Sequence, residues 1–249
     1  MNWLLVRRAV ALGLVLSAAV VRYWLVRVRG TLTLERRALW LSDTCTRVLR
    51  SMGICVEVEG EVPKHGLVVA NHLSYLDIVI LSAAMPCFFV AKTEVGAWFY
   101  FGEAARAGGT LFIDRSRRAS AEKVAAEISE RLKLRVPVLF FPEGTSTDGT
   151  MLKFHSSLFE PAIRGGAPVT AVAIKYVLEG GRPERKLCWF GDEVLTPHLM
   201  RTLNAAGFHA HLRFGKARMY ESRRAAAEGT FGEIAGVREQ ARIGELQQA

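Results

Sequence analysis

Residues 66–84 read GLVVANHLSYLDIVILSAA, in which a polar loop separates two apolar segments. The first segment, 66–70, has the length and composition of a buried β-strand. The second is predicted to be a helix over 75–84, because Ser74 and Asp77 have the spacing of a capping box, which starts helices. This stretch therefore predicts a strand, a loop and a helix in succession, the building unit of α/β proteins.

The same alternation continues along the chain. Predicted strands cover 55–58, 66–70, 88–91, 110–113, 137–141, 169–176, 187–190 and 209–214. Predicted helices cover 75–84, 95–107, 119–134, 154–164, 197–206 and 221–248. This order predicts an α/β fold in which helices flank a mostly parallel central sheet. We expect three parts: N-terminal membrane-associated helices in 1–53, a main domain in 54–220 and a C-terminal helical tail in 221–249.

The net charge of +9 is concentrated near the N-terminus. Residues 1–50 contain nine arginines and two acidic residues, a balance of +7 that leaves +2 for the rest of the chain. Nucleic-acid binding needs a basic face on the folded domain, and no such pattern occurs there, so we expect no nucleic-acid partner. The four scattered cysteines fit free thiols in a reducing compartment better than disulfides or a zinc site.

The arginines of this region surround an apolar segment. Residues 9–21 form an unbroken apolar run after Arg7 and Arg8, a pattern that also fits a cleaved signal peptide. The apolar pattern continues into Tyr23 and Trp24, residue types that settle at membrane interfaces, which favours a retained anchor. A membrane span needs about twenty apolar residues, so the helix either crosses the bilayer or enters one leaflet.

An amphipathic helical pattern with an arginine-rich polar side follows over residues 34–52. Such a pattern is typical of a helix lying in the membrane interface, where anionic lipid attracts the basic side. The alternative is a surface helix that packs on the domain. We expect the apolar helix and this one to hold the domain on a membrane.

Two loops directly follow predicted strands, where the active sites of α/β sheets usually lie. The first contains His72, just before a helix whose first turn carries Asp77. If the loop folds back, Asp77 accepts a hydrogen bond from the imidazole and fixes the tautomer that a general base needs. The alternative is that His72 is a structural donor and Asp77 only completes the helix cap.

The second loop reads FPEGTS at 141–146. Glu143 follows a buried strand and a proline, and Gly144 lets the backbone come close to a ligand. Another predicted strand delivers Arg115, and a guanidinium pairs well with phosphate. The alternatives are an exposed strand-ending turn at Glu143 and a solvated basic turn at Arg115.

Taken together, four segments resemble the sequence blocks of the 1-acylglycerol-3-phosphate acyltransferase family of glycerolipid acyltransferases. The blocks are 71–77 (NHLSYLD), 109–115 (GTLFIDR), 141–146 (FPEGTS) and 167–174 (APVTAVAI). Each block is weak alone, but the set is specific because the order and rough spacing match the family's. Ala167 replaces the family's valine. The stretch 141–159 also resembles a branch that includes acyltransferases of lyso-ornithine lipid.

The resemblance implies an O-acyltransferase on the cytoplasmic face of the inner membrane. His72, oriented by Asp77, would deprotonate the hydroxyl of a lysophospholipid, above all 1-acylglycerol-3-phosphate. That hydroxyl would attack the thioester of acyl-CoA or acyl carrier protein, with no metal ion or organic cofactor implied beyond this co-substrate. The residues that would bind the acceptor's polar head are Arg115, Glu143, Gly144 and Thr145.

Three other functions stay open on the sequence. The acceptor could be lyso-ornithine lipid rather than a lysophospholipid. The chain could be a non-catalytic lipid-binding protein with the same fold, although an intact pair of His72 and Asp77 argues against that. It could also be a thioesterase or phospholipase that transfers the acyl group to water.

Overall fold

The computed structural model describes residues 3–98, 101–114, 116–205 and 207–246. Its α-helices in that part of the chain are α1 (Trp3–Val28), α2 (Leu34–Met52), α3 (Leu76–Ala84), α4 (Thr93–Gly96), α5 (Phe101–Gly108), α6 (Arg118–Leu132), α7 (Glu160–Arg164), α8 (Leu195–Asn204) and α9 (Arg223–Leu246). The strands are β1 (Ile54–Glu59), β2 (Leu67–Ala70), β3 (Phe88–Lys92), β4 (Leu111–Ile113), β5 (Val138–Phe140), β6 (Val169–Leu178) and β7 (Phe208–Phe214). Short 3₁₀ helices cover Ser157–Phe159, Glu179–Gly181 and Glu184–Lys186.

The described strands form one sheet in the order β1-β7-β6-β2-β5-β3-β4. Every neighbouring pair is parallel except β6 with β7, so the predicted mostly parallel α/β fold is confirmed. Strands β6, β2, β5, β3 and β4 run in the same direction, so their carboxyl ends share one edge of the sheet. The loops after β2, β5 and β4 therefore open on the same side.

Both faces of the central strands are buried, as at β2 and β5. Leu67 and Val69 contribute to one hydrophobic core, whereas Val68 and Ala70 contribute to the other, because side chains alternate along a strand. Helices α2, α3 and α8 cover one face, and α6, α7 and α9 cover the other. Burial on both faces explains why β2 is an unbroken apolar run instead of an alternating one.

Residues 187–190 do not form the predicted strand. The 3₁₀ helix at Glu184–Lys186 ends with the N–H of Leu187 donating to the carbonyl of Glu184 at 2.8 Å. The N–H of Trp189 then donates to the carbonyl of Leu73 at 2.8 Å, so the segment packs on the His72 loop. Its apolar composition reflects burial in a loop, which the strand pattern does not distinguish from burial in a sheet.

Helix α1 is long and apolar enough to cross a membrane, by length and composition alone. One side of this helix packs on α2 and α8. Arg8 is buried there and donates to the carbonyls of Leu203 and Ala205 at the end of α8. The opposite side exposes a series of large apolar side chains: Val10, Leu14, Val21, Trp24 and Leu25.

The amphipathic pattern of α2 reflects packing on the protein and not contact with a membrane. Its apolar side contributes to the core and packs on α3 and β1. The buried residues of this side include Leu41, Cys45, Val48, Leu49 and Met52. Assigning this side to lipid is therefore wrong, and α2 is a surface helix packed on the domain.

The predicted boundaries near residues 53 and 220 fall between secondary-structure elements. However, α2 contributes Val48, Leu49 and Met52 to one hydrophobic core and Ala38 to the other, and α9 contributes to the second, so both helices are packed on the domain. In particular, α9 lies against β6 and is not a free tail. The division into three parts stays a prediction. All four cysteines are free thiols, as predicted.

Candidate active site

The His72 loop folds back onto the first turn of α3, which is one of the two arrangements that the sequence left open. His72 Nδ1 lies 2.8 Å from Asp77 Oδ2. The same oxygen accepts from the backbone N–H groups of Leu73 at 2.6 Å and Ser74 at 3.0 Å. Since Asp77 is fully buried and receives backbone donors at this oxygen, it is the acceptor and the imidazole nitrogen is the donor.

The cap of α3 and the contact with the imidazole use one carboxylate. Ser74 Oγ accepts from the N–H of Leu76 at 3.3 Å, while Asp77 accepts from the N–H of Ser74. This is the reciprocal arrangement of a capping box. The two roles that the sequence left as alternatives for Asp77 therefore coexist, and capping helps to hold the carboxylate in place for His72.

A tyrosine completes the environment of the buried carboxylate. The hydroxyl of Tyr176, on β6, donates to Asp77 Oδ1. Burial, and then the negative charge of Asp77, raise the pKa of Tyr176 well above its ordinary value of 10.0. The hydroxyl therefore stays protonated and remains a donor to the carboxylate of Asp77.

The imidazole of His72 is held between the carboxylate and an aromatic ring. It stacks on Phe141, with ring centroids 3.9 Å apart and planes inclined by 10°. The His72 side chain keeps 16% of its surface exposed, whereas Asp77 keeps none. Because Nδ1 is engaged by Asp77, Nε2 is the ring nitrogen that is available to a substrate.

Glu143 ties the two loops together. One carboxylate oxygen accepts from the N–H of His72 at 2.9 Å, and the other accepts from the N–H of Leu152 at 2.9 Å. Burial raises the pKa of Glu143, an effect that these two N–H donors oppose. The backbone of His72 is fixed from its other side as well, because its carbonyl accepts from the N–H of Thr147 at 2.9 Å.

The other predicted binding residues lie around these loops. Gly144 has φ +78°, a left-handed conformation that favours glycine, and the turn leaves Thr145 exposed beside it. Arg115 lies outside the described residues. Its neighbour Asp114 follows β4, which is three strands from β2, or about 14 Å at the usual strand spacing. Lys92 is exposed at the carboxyl end of β3, between β5 and β4.

Sequence reasoning did not identify Tyr176, Asn71 or Phe141 as partners of the site. Asn71 is buried and bridges to β6: its Oδ1 accepts from the N–H of Ile174 at 2.7 Å, and its Nδ2 donates to the carbonyl of Ile174 at 3.1 Å. Asn71 and Phe141 border predicted loop residues, a position that could have marked them. Tyr176 is 99 positions from Asp77 and reads as an ordinary strand residue, so no local signal marks it.

Among the described residues, no group of three or more His, Cys, Asp and Glu side chains is placed to hold a metal ion. The arrangement that the structure does show is a partly exposed imidazole, a buried carboxylate that orients it and two tethered loops. These are the components of general-base chemistry on a bound hydroxyl.

Comparison with known proteins assigns this chain to a family. A family model described as Acyltransferase matches residues 53–175. One relative is 36% identical over 221 residues, which cover 84% of this chain and 83% of the relative. The chain therefore belongs to the acyltransferase family, as its four sequence blocks predict, and it is an O-acyltransferase. That relative is the lyso-ornithine lipid O-acyltransferase of Pseudomonas aeruginosa.

Two further comparisons agree with this assignment. The 1-acyl-sn-glycerol-3-phosphate acyltransferase of Neisseria meningitidis serogroup B is 40% identical over 139 residues, which cover 54% of each chain. The crystal structure of the 1-acyl-sn-glycerophosphate acyltransferase PlsC from Thermotoga maritima superposes with a TM-score of 0.65 and 20% identity. The match covers 94% of both chains and shows that they share the fold.

Proposed function

We propose that this acyltransferase moves a fatty acyl group from an acyl thioester to the hydroxyl of a lysolipid, with His72 as the general base. The observation that carries the proposal is the pairing of His72 Nδ1 with the buried carboxylate of Asp77 at 2.8 Å. Because this contact fixes the tautomer, the lone pair on Nε2 is directed away from Asp77 and toward the partly exposed side of the ring.

In the proposed reaction, Nε2 of His72 takes the proton of the acceptor hydroxyl as its oxygen bonds to the thioester carbonyl carbon. The tetrahedral intermediate then collapses, the carbon–sulfur bond breaks, and the leaving thiolate takes the proton from Nε2. Asp77 stabilises the transient imidazolium, since it carries the opposite charge in a buried position. The reaction needs no metal ion or organic cofactor, because acyl-CoA or acyl carrier protein supplies the activated acyl group.

The acceptor in our proposal is 1-acylglycerol-3-phosphate, which would yield phosphatidic acid. Arg115 would pair with its phosphate, because a guanidinium and a phosphate form paired hydrogen bonds. A second candidate is lyso-ornithine lipid, which is favoured by the extent of similarity to the Pseudomonas aeruginosa enzyme along 83% of that protein.

The Glu143–Thr145 turn has two roles in this proposal. The backbone of Gly144 and the exposed Thr145 would contact the acceptor's head. Glu143 acts on the head indirectly, because both of its oxygens already accept from backbone N–H groups. The Glu143 carboxylate therefore holds the turn and the His72 loop in a fixed relative position and does not contact the substrate.

We propose that the protein works on the cytoplasmic face of the inner membrane, held there by α1. This helix packs on the domain along one side, so its exposed apolar side could lie in one leaflet while the site faces the lipid surface. Arg27 stacks over Trp24 with the guanidinium carbon 5.0 Å from the ring centroid, which suits a position at the interface. The lysolipid would enter from this membrane.

The test is acyl transfer by the purified full-length protein in detergent micelles. The acyl group carries the label and is supplied either as acyl-CoA or as the thioester of acyl carrier protein. Each donor is combined in turn with 1-acylglycerol-3-phosphate, other lysophospholipids and lyso-ornithine lipid. We expect labelled diacyl product from the wild type and a rate about 10²- to 10⁴-fold lower in His72→Ala protein with an unchanged circular dichroism spectrum.

Two results would contradict the proposal. Wild-type-like turnover by folded His72→Ala protein would remove His72 as the base. Release of free fatty acid without acylated product would indicate a thioesterase or phospholipase. The matched control is His209→Ala, because His209 is an exposed histidine on β7 that pairs with Glu57 and lies outside the site.

A further inference from the structure

The C-terminal helix reaches the loops of the active site through one buried guanidinium. Arg238, in the second half of α9, has a side chain that is only 11% exposed. It donates to the carbonyl of Ile174 at 2.5 Å, the carbonyl of Gly149 at 2.9 Å and the carboxylate of Glu184 at 2.5 Å. These three acceptors belong to β6, to the loop after β5 and to the 3₁₀ helix at Glu184–Lys186.

The sheet explains why side chains meet β6 at this point. β2 pairs with β6 only as far as Ala70 opposite Val172, so β6 continues beyond the end of its neighbour. Buried backbone groups on that open strand edge must find other partners. Side chains supply them: Asn71 and Arg238 bind Ile174, and Glu184 accepts from the N–H of Tyr176 at 3.1 Å.

Each contact of Arg238 is joined to His72 or Asp77 by a short chain of hydrogen bonds and neighbouring residues. Ile174 is held by Asn71, which directly precedes His72. Through Glu184 the guanidinium fixes the strand position of Tyr176, whose hydroxyl donates to Asp77.

The contact with Gly149 acts through the loop. The N–H of Gly149 donates to Thr147 Oγ1 at 3.3 Å, and Thr147 donates to the carbonyl of His72 through both its N–H and its hydroxyl. The Gly149 backbone also lies close to Glu184, where only glycine fits well. Gly149 has φ +105°, and an added Cβ would lie 2.9 Å from the Glu184 carboxylate. Such packing fixes the loop instead of leaving it adjustable.

We infer that Arg238 is a positioning residue for the reaction, which sets the orientation of the His72 imidazole from the C-terminal helix. The inference rests on the proposed function, and it adds to that function a residue beyond the 53–175 range of the family model. The helix that the sequence presents as a tail is thereby part of the catalytic unit.

The closing experiment compares Arg238→Gln and Arg238→Lys with a matched control, Arg224→Gln, in the full-length protein. Arg224 is on the same helix, is 84% exposed and pairs only at the surface, with Glu228 four residues away. We expect Arg238→Gln to lower kcat by about ten- to a hundredfold with little change in either KM, because misplacing a reacting group by about 1 Å has such an effect. Arg238→Lys should recover only part of the loss, since lysine lacks the planar fork.

A second measurement needs no substrate. In protein labelled with [15N]histidine, the Nδ1–H resonance of His72 is assigned by its loss in His72→Ala. We expect this resonance to shift or to exchange faster with water in Arg238→Gln and to stay unchanged in Arg224→Gln. Adding guanidinium ion to Arg238→Ala protein should move the Nδ1–H resonance part of the way back to its wild-type position and should recover part of kcat.

The outcomes separate the two proposals. An unchanged His72 resonance in Arg238→Gln overturns the inference, whether or not the wild type transfers acyl groups to the lipids supplied. A wild type that transfers no acyl group defeats the proposed function alone. Normal kcat in Arg238→Gln beside an active wild type also overturns the inference. If Arg238→Gln does not fold, the same comparisons are made on Arg238→Lys.

Discussion

Replacing Asp77 with asparagine removes one charge and almost no volume. In the wild type, Oδ2 accepts from the His72 ring and from the N–H groups of Leu73 and Ser74. Oδ1 accepts from the hydroxyl of Tyr176. An asparagine NH₂ group at the Oδ2 position would meet three donors, so the asparagine oxygen must take that position. We therefore expect Asp77→Asn to keep the tautomer of His72 and to lose only the negative charge.

The size of the effect follows from the geometry of the pair. Nδ1 and Oδ2 are 2.8 Å apart. Two unit charges centred about 4 Å apart interact by about 4 kcal/mol at an effective dielectric constant of about 20. Since the imidazolium is only partly formed in the transition state, we expect Asp77→Asn to lose at least half of this interaction energy. The corresponding decrease in kcat is roughly 30- to 1,000-fold.

The assay is single-turnover acyl transfer at saturating donor and acceptor, with the exposed Asp192→Asn as the matched control. A loss of less than about tenfold would show that the charge of Asp77 contributes less than half of the calculated interaction. A loss of about 10⁴-fold, the size expected for the wrong tautomer, would show that the asparagine is oriented in the opposite way. Either result would refute the reasoning.

Three further predictions concern other parts of the chain. Arg115→Lys and Arg115→Ala should raise the acceptor KM with little change in kcat. Arg117→Ala alters an exposed arginine and should leave the acceptor KM unchanged. An unchanged acceptor KM in Arg115→Ala rules the contact out. Burial lowers the pKa of His198 below 6.5, so the native state binds fewer protons than the unfolded state. The free energy of unfolding should therefore fall as pH drops below about 6.5 until the folded-state pKa is passed, and His198→Gln should flatten this dependence in chemical denaturation. Arg8→Met should lower stability by about 2–3 kcal/mol, because it leaves two buried carbonyls without their charged donor. Thermal unfolding of Arg7→Met, an exposed neighbour, should remain close to the wild type, and equal midpoints for both variants would contradict this role for Arg8.

Local patterns in the sequence predicted most of the fold. Strands β1 to β7 all fall within or beside predicted segments. The central strands produce short apolar runs because both of their faces are buried, whereas β7 alternates buried and exposed residues. Residues 187–190 have the same composition for another reason, since their apolar side chains are buried from a loop. The amphipathic side of α2 was similarly ambiguous, because lipid and a protein core select the same residue types.

The sequence by itself determined that His72 lies in a loop just before the helix that carries Asp77, and it left open whether the loop folds back to join the two side chains. Only the tertiary structure decided what surrounds that pair. Tyr176 is 99 positions from Asp77, and Arg238 is 89 positions from Gly149, so no short-range pattern relates them. The same helix residue meets Ile174 because β6 runs past the end of β2 and leaves buried backbone groups that side chains distant in the sequence satisfy.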